Sequence, residues 1–189
     1  MNSVTIEPDL SPRMTTRLVL TTPVDADVAE LFELHTDPRV WEHLPSGRHI
    51  DPVQTKALLD TYREGWIENG LDVWVARDSE TKVLLGMGGP SLRGGRAWNI
   101  YYRLAPTAWG RGYAQEIVAA ARAATAELGS DLPHVAVLLE HNEGSRRAAE
   151  RAGLHLVWRG IDRGNPDSSA MRLVYADRPL STDDLVLFS

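Results

Sequence analysis

The sequence predicts an α/β fold, a single domain with a mixed seven-stranded sheet flanked by helices. Three observations carry that prediction. Short runs rich in β-branched and aromatic residues alternate with longer segments whose apolar residues recur at helical spacing. Residues 133–140 place Val135, Ala136, Val137, Leu138 and Leu139 in succession, the pattern of a strand buried on both faces. Between Ala97 and Leu128 an apolar-aromatic run, a glycine-containing turn and an alanine-rich segment follow one another as strand, turn and helix.

Each element has a local reason. Residues 1–14 are polar, contain Pro8 and Pro12, and form a loose lead-in. Residues 16–21 alternate and are β-branched, a first strand. Pro23-Val24-Asp25 opens a helix whose stripe is Ala26, Val28, Ala29, Leu31, Phe32 and Leu34. Asp37-Pro38 supplies a cap and a first-turn proline, predicting a short helix to Leu44 that Pro45-Ser46-Gly47 breaks. Asp51-Pro52 repeats the signal for a longer helix over 53–68, with Ala57, Leu58, Tyr62 and Trp66 inward and Asn69-Gly70 at its end.

Strands over 72–77 and 82–87 follow, joined by a polar turn, the second made irregular by Gly86, Gly88, Gly89 and Pro90. Arg93-Gly94-Gly95-Arg96 turns into the strand Ala97–Leu104. A helix over 115–128 ends at Gly129, and a helix over 142–152 follows the buried strand. Strands over 154–160 and Met171–Ala176 flank a Gly/Asn/Pro/Asp/Ser loop. No repeat or linker divides the chain, so the expected organisation is a lead-in over 1–14, one domain over 15–176 and a patternless tail over 177–189.

Composition narrows the function classes. With 189 residues, 43% of them hydrophobic, the chain can bury a sizeable core. Its net charge of −6 and lack of a long basic run argue against nucleic acid as a partner. Without cysteine there is no disulfide, thiolate nucleophile or cysteine-ligated zinc, and no metal site is expected. The N-terminus lacks a basic region followed by an apolar core, and no stretch approaches about 18 apolar residues, so no membrane span is expected and the expected location is cytoplasmic.

The informative stretch is Trp109-Gly110-Arg111-Gly112-Tyr113-Ala114. A turn of small residues opening a helix presents free N–H groups and a partial positive charge to an anion. It is not the dinucleotide fingerprint, which needs a third glycine and a later acidic residue, nor a P-loop, which needs Gly-Lys-Ser/Thr. Alone it serves equally as a helix start packed through small residues.

Leu104-Ala105-Pro106 before this turn and Asn142-Glu143-Gly144-Ser145-Arg146-Arg147 after it change the reading. Together they resemble the GNAT superfamily of acyl-CoA-dependent N-acetyltransferases, whose turn is usually Q/R-x-x-G-x-G/A. Trp109, Gly112 and Ala114 take the first, fourth and sixth places. Trp109 departs from Gln/Arg but is similar to the branch of ribosomal-protein N-terminal acetyltransferases of the RimJ/RimL type, as are Thr16–Leu20, Asp37–Val40, and Asn142, Ser145, Arg146 and Gly153. The resemblance covers about 15–176.

It implies acetyl-CoA as acyl donor and a sheet splayed between the fourth and fifth strands. A bulge on the fourth strand would free the backbone of Tyr102, Arg103 and Leu104 for the pantetheine amides. The N–H groups of Trp109, Gly110, Arg111, Gly112, Tyr113 and Ala114 would take the pyrophosphate, and Asn142 the pantetheine arm unless it is only a helix cap. The Leu104 N–H would polarise the thioester carbonyl, and Ser145 would be the acid for the leaving thiolate. The branch often carries a basic Glu on the fourth strand, where this chain has Asn99. His43, with Glu42, His49, Glu140 and His141, remains as a base.

The acceptor, a peptide N-terminus or small-molecule amine, would meet Trp41, His43, Leu44, Tyr62, Trp66, Tyr101 and the 87–92 segment, with Tyr175 an outside candidate. The acidic balance suits a cationic amine. The branch also admits a homodimer, with the tail packing on a second copy. A non-catalytic acyl-CoA-binding regulatory module and a nucleotide-binding α/β protein stay open as alternatives.

Overall fold

The computed structural model describes residues 10–188, so residues 1–9 of the expected lead-in and Ser189 lie outside the described residues. The strands are β1 (Arg13–Met14), β2 (Leu18–Thr21), β3 (Trp74–Asp78), β4 (Leu84–Arg93), β5 (Ala97–Leu104), β6 (His134–Leu139), β7 (His155–Ile161) and β8 (Met171–Ala176). The helices are α1 (Val28–Thr36), α2 (Pro52–Asn69), α3 (Tyr113–Glu127), α4 (Glu143–Arg151) and α5 (Thr182–Val186). They form one sheet in the order β1-β2-β3-β4-β5-β6-β8-β7, antiparallel throughout except for the parallel pair β5–β6.

Among the described residues the sheet has eight strands, not seven. The extra one lies in the expected lead-in, where Arg13 and Met14 pair with Leu20 and Val19. The predicted helix after Asp37 is absent. Val40 N–H bonds to Asp37 C=O, Trp41 to Pro38 and Leu44 to Trp41, a chain of three-residue turns, and Pro45 holds Leu44 out of helical geometry. Asp37 does cap, but it serves Arg39, accepting from its N–H and its guanidinium. The second Asp-Pro signal succeeds: Asp51 accepts from Val53 N–H, Gln54 accepts from Asp51 N–H, and Gly70 ends α2 in the left-handed conformation.

β4 continues to Arg93 despite its glycines and proline. The bond from Ala105 N–H to Leu85 C=O fixes the alternation of the β4–β5 ladder. It puts Pro90, opposite Ile100, at a position where the ladder asks for no N–H. α3 packs on one face of the sheet with Trp98, Ile100 and Leu104, and α4 covers Ala136, Leu138 and Leu173 on the same side. α1 and α2 cover the opposite face through Leu31, Leu59, Val73, Val75 and Met87. The tail is not patternless. Ser181 caps α5, Arg96 pairs with Asp184, and Phe188 is buried with Ala97, Val135 and Val174 of its own chain.

Candidate active site

β5 ends at Leu104, a single 3-10 turn over Pro106–Ala108 follows, and Trp109–Gly112 leads into α3. Gly110 and Gly112 have φ of 71° and 84°, which L side chains adopt at a cost, so both glycines are demanded by the backbone. Gly112 caps α3 without a side-chain bond, and the first internal bond runs from Gln115 N–H to Gly112 C=O. The N–H groups of Tyr113 and Ala114 therefore begin the helix without partners inside it.

Arg17 braces this turn from below, donating to Arg111 C=O at 2.8 Å, pairing with Glu116 and lying 4.4 Å from the centre of the Tyr113 ring. Nothing in the sequence links Arg17 to a turn 94 positions away, and its role was not foreseen. The Tyr113 ring is buried, so only its backbone faces outward.

The sheet is splayed at the expected place, here between β5 and β6. Their parallel ladder covers only Trp98 opposite His134 and Asn99 opposite Val135. The bulge expected on β5 is absent, since β4 and β5 stay in register from Gly86–Leu104 to Arg93–Ala97. The irregularity lies one strand over, between Ala76 and Arg77 against β4. By the same alternation, Tyr102 and Leu104 turn their N–H and C=O groups away from β4 and toward the gap. The Leu104 carbonyl already accepts from the Trp109 indole N–H at 2.8 Å, which explains how tryptophan serves at the head of this turn.

Two clefts meet at the splay. The first, about 720 Å³ on the α3–α4 side, is bounded by Tyr102, Arg103 and Leu104, by the turn, and by the start of α4. Of the residues expected to hold the cofactor, Trp109, Gly110, Gly112, Tyr113, Ala114 and Asn142 line it and Arg111 does not, its guanidinium lying 5.3 Å from the Tyr113 ring centre. Sequence reasoning missed Arg39, Gln115, Arg147 and Arg151 in its wall. Four arginines against Glu42 and Glu143 make this cleft locally cationic in a chain of net charge −6. Asn142 Oδ1 caps α4 by accepting from Ser145 N–H at 3.1 Å, leaving Nδ2 as its donor. Tyr102 OH donates to Ser145 C=O across the lip at 3.3 Å, and burial pushes its pKa up to about 12.

The second cleft, about 230 Å³, opens between β5 and β6 and is lined by His43, Leu44, Asn99, Tyr101, Arg103 and Arg172, among others. His43, Leu44 and Tyr101 of the expected acceptor wall thus line this cleft. Trp41 lies one layer behind, its ring 3.5 Å from the Arg103 guanidinium. Tyr62 is buried against Tyr101 and lines neither cleft. Trp66 is core, donating its indole N–H to Val73 C=O and packing on Trp74. The 87–92 segment is also core, because β4 is covered on both faces. Tyr175 is buried beneath α4 with its hydroxyl on Glu150.

Among the expected bases, Glu140 has both oxygens on the Arg159 guanidinium, which hold it below the usual carboxylate range. His49 bonds Thr55 Oγ1, and burial and then Arg103 lower its pKa. His141 bonds the His43 carbonyl at 2.8 Å, and Glu42 lines the first cleft only. His43 lines both clefts, and burial, then Arg103 and His141, lower its pKa to about 4. Asn99 faces the second cleft with a buried Oδ1 that has no hydrogen-bond partner.

A strand edge with free amide groups, a glycine turn opening a helix, and arginines in the wall fit a phosphate-bearing ligand with an extended amide arm. The acetyltransferase (GNAT) domain family matches residues 17–155. The chain belongs to the GNAT acetyltransferase family. This GNAT domain is 31% identical over 150 residues to the uncharacterized protein YkkB of Bacillus subtilis (strain 168), covering 75% of this chain and 84% of that protein. An acetyltransferase from Agrobacterium tumefaciens str. C58 shares its fold with a TM-score of 0.71 at 24% identity, over 89% of this chain and 94% of that one. RimL, a ribosomal-protein alpha-N-acetyltransferase solved with coenzyme A, does so with a TM-score of 0.72 at 17% identity, over 89% and 97%. The GNAT domain is an acetyl-CoA-dependent N-acetyltransferase with acetyl-CoA as its acyl donor.

Proposed function

We propose that this GNAT enzyme transfers acetyl from acetyl-CoA to a primary amine, a peptide N-terminus or a small-molecule amine, by direct attack across the splay. The observation that carries this reading is the β5 edge, whose Tyr102 and Leu104 backbone groups face a gap where two clefts meet. The N–H groups of Gly110 to Ala114 hold the pyrophosphate, with charge-assisted bonds of about 1.5–3 kcal/mol each outweighing a helix-dipole contribution of about 0.3–2 kcal/mol. The Tyr102 backbone groups anchor the pantetheine amides with Asn142 Nδ2, and the thioester supplies an activated acyl carbon. The Leu104 N–H, turned toward the gap, polarises the thioester carbonyl in this reading. The amine enters through the second cleft past His43 and Tyr101. The new C–N bond forms as C–S breaks, the amine proton leaves to water or His43, and Ser145 hydrogen-bonds the leaving thiolate and relays to it a proton taken from water.

His43, held neutral above about pH 4, is a weak base. The supply of neutral amine therefore governs the rate. An α-amine with pKa about 7.8 is roughly a tenth neutral at pH 7, whereas a lysine near about 10.4 is well below a thousandth. This favours α-amines and other low-pKa amines over lysine side chains.

An acetyl-transfer screen across amine classes, with a pH–rate profile on each hit, tests the reading. kcat/KM is expected to rise with the ionisation of the acceptor itself, with no inflection from His43 between about pH 6 and 9. An ascending limb that stays fixed while the acceptor pKa changes would reveal an enzyme base. Gly112→Glu, which puts a carboxylate and a strained backbone at the phosphate turn, is expected to abolish acetyl-CoA binding; normal binding would place the pyrophosphate elsewhere.

A further inference from the structure

We propose that Arg103 selects acceptor amines that carry an oxyanion, a carboxylate above all; this rests on the transfer reading above and deepens it. Arg103 is the side chain that borders both clefts with a charge. Its guanidinium stacks on Trp41 at 3.5 Å from the ring centre, its Nε donates to Tyr101 OH at 2.8 Å, and its Nη1 donates to Val40 C=O at 3.2 Å. These contacts fix the plane of the fork and use neutral partners only. Among the described residues Arg103 forms no ion pair, and its Nη2 makes no hydrogen bond.

The surroundings do not supply the missing anion. Arg172, the other guanidinium of the second cleft, is already neutralised by Asp162 and bonded to Phe188 C=O. His35, His43 and His49 lie close enough to feel the Arg103 charge and are all held toward their neutral forms, by burial first. The site thus has a pre-oriented, half-buried cation with donors left over. A planar fork of this kind matches an oxyanion in bidentate geometry. A second cation there would be repelled. The acidity of the whole chain, which suits a cationic acceptor, is reversed locally in this wall.

The test is a homologous series of amino acids, H2N-(CH2)n-COOH with n from about 1 to 5, against the matching amides and one aminoalkyl phosphonate. In the wild-type enzyme the acid is expected to exceed its amide in kcat/KM per neutral amine by about tenfold or more at the best-fitting length, as a charged hydrogen-bond pair provides. Arg103→Gln is expected to bring that ratio toward one, with Arg103→Lys between. Calorimetric titration of acid and amide into CoA-saturated protein gives the same comparison without turnover. No preference for acids or the phosphonate at any length overturns the proposal. So does an Arg103→Gln enzyme that loses acids and amides in equal proportion, or whose defect lies in CoA binding. If no amine of any class is acetylated, the transfer reading fails, and the calorimetric preference alone decides the role of Arg103.

Discussion

Asp72 is a carboxylate enclosed by the protein. It is 4% exposed, accepts from Val73 N–H and Ser91 OH, and fits only because Gly65 has no side chain: a Cβ there would lie 1.9 Å from Asp72 Oδ2. Burial raises its pKa to about 6. The folded state then holds a proton that the unfolded state releases near 3.8, so stability falls as pH rises from 3.8 to about 6. At pH 7 the ionised group costs about 3 kcal/mol, and Asp72→Asn, which can keep both hydrogen bonds, is expected to stabilise the protein by about 1–3 kcal/mol at pH 8 and by little at pH 4. Denaturant melts of both proteins at the two pH values check this. His35 has the opposite sign. It is fully buried on Met87, with Nδ1 lacking a hydrogen-bond partner, and burial first lowers its pKa to about 3. The unfolded chain takes up the proton from about pH 6.5 downward, so His35 makes the fold about 2 kcal/mol less stable at pH 5 than at pH 7. His35→Leu is expected to remove that dependence; an unchanged acid slope would show that other groups set it. Neither behaviour was legible in the sequence, where Asp72 opens a strand and His35 ends a helical stripe. Arg17 and Arg103 were opaque for a related reason, because Glu116, Trp41 and the Val40 and Arg111 carbonyls that hold them lie far along the chain.

The strand–turn–helix unit was legible because its chemistry is local. Glycines at positive φ, small residues and an apolar strand are sequence properties, and they place the β5 edge, Gly112 and α3 correctly. The distortion that accompanies the splay was not legible. It sits at β3–β4, where Gly86 has φ 143° and a Cβ would lie 2.1 Å from Arg103 C=O. Gly86 therefore lets β4 press against the part of β5 that borders the gap. Gly86→Ala is expected to cost at least about 2 kcal/mol and to raise the KM for acetyl-CoA, because the atom it strikes is backbone that cannot rotate aside. Equilibrium unfolding and initial rates measure the two effects; a stability loss with unchanged KM would separate Gly86 from the cleft. The failed helix after Asp37 makes the complementary point. Its cap was real, but the distance from Asp37 to Pro45 left little room for a helix, and i→i+3 turns used the same carbonyls.

At the scale of the molecule, the α/β class and the strand order in sequence were readable from periodicity, and the splay from what the family resemblance implies. The tryptophans were not, because an aromatic residue that will line a cleft and one that will fill a core look alike until the faces of β4 are known. Catalysis by direct attack predicts that initial-rate plots against acetyl-CoA and acceptor intersect, and a chain without cysteine has no thiolate to carry the acetyl group between half-reactions. Parallel lines would contradict it. The short β5–β6 ladder has one more consequence. Two paired residues hold these strands together, and beyond them the sheet is a partition with a window, served by a separate doorway on each side. A substitution at Gly112, which borders the first opening alone, is therefore expected to change one side of the window, whereas one at His43 or Arg103, which border both, changes the two together.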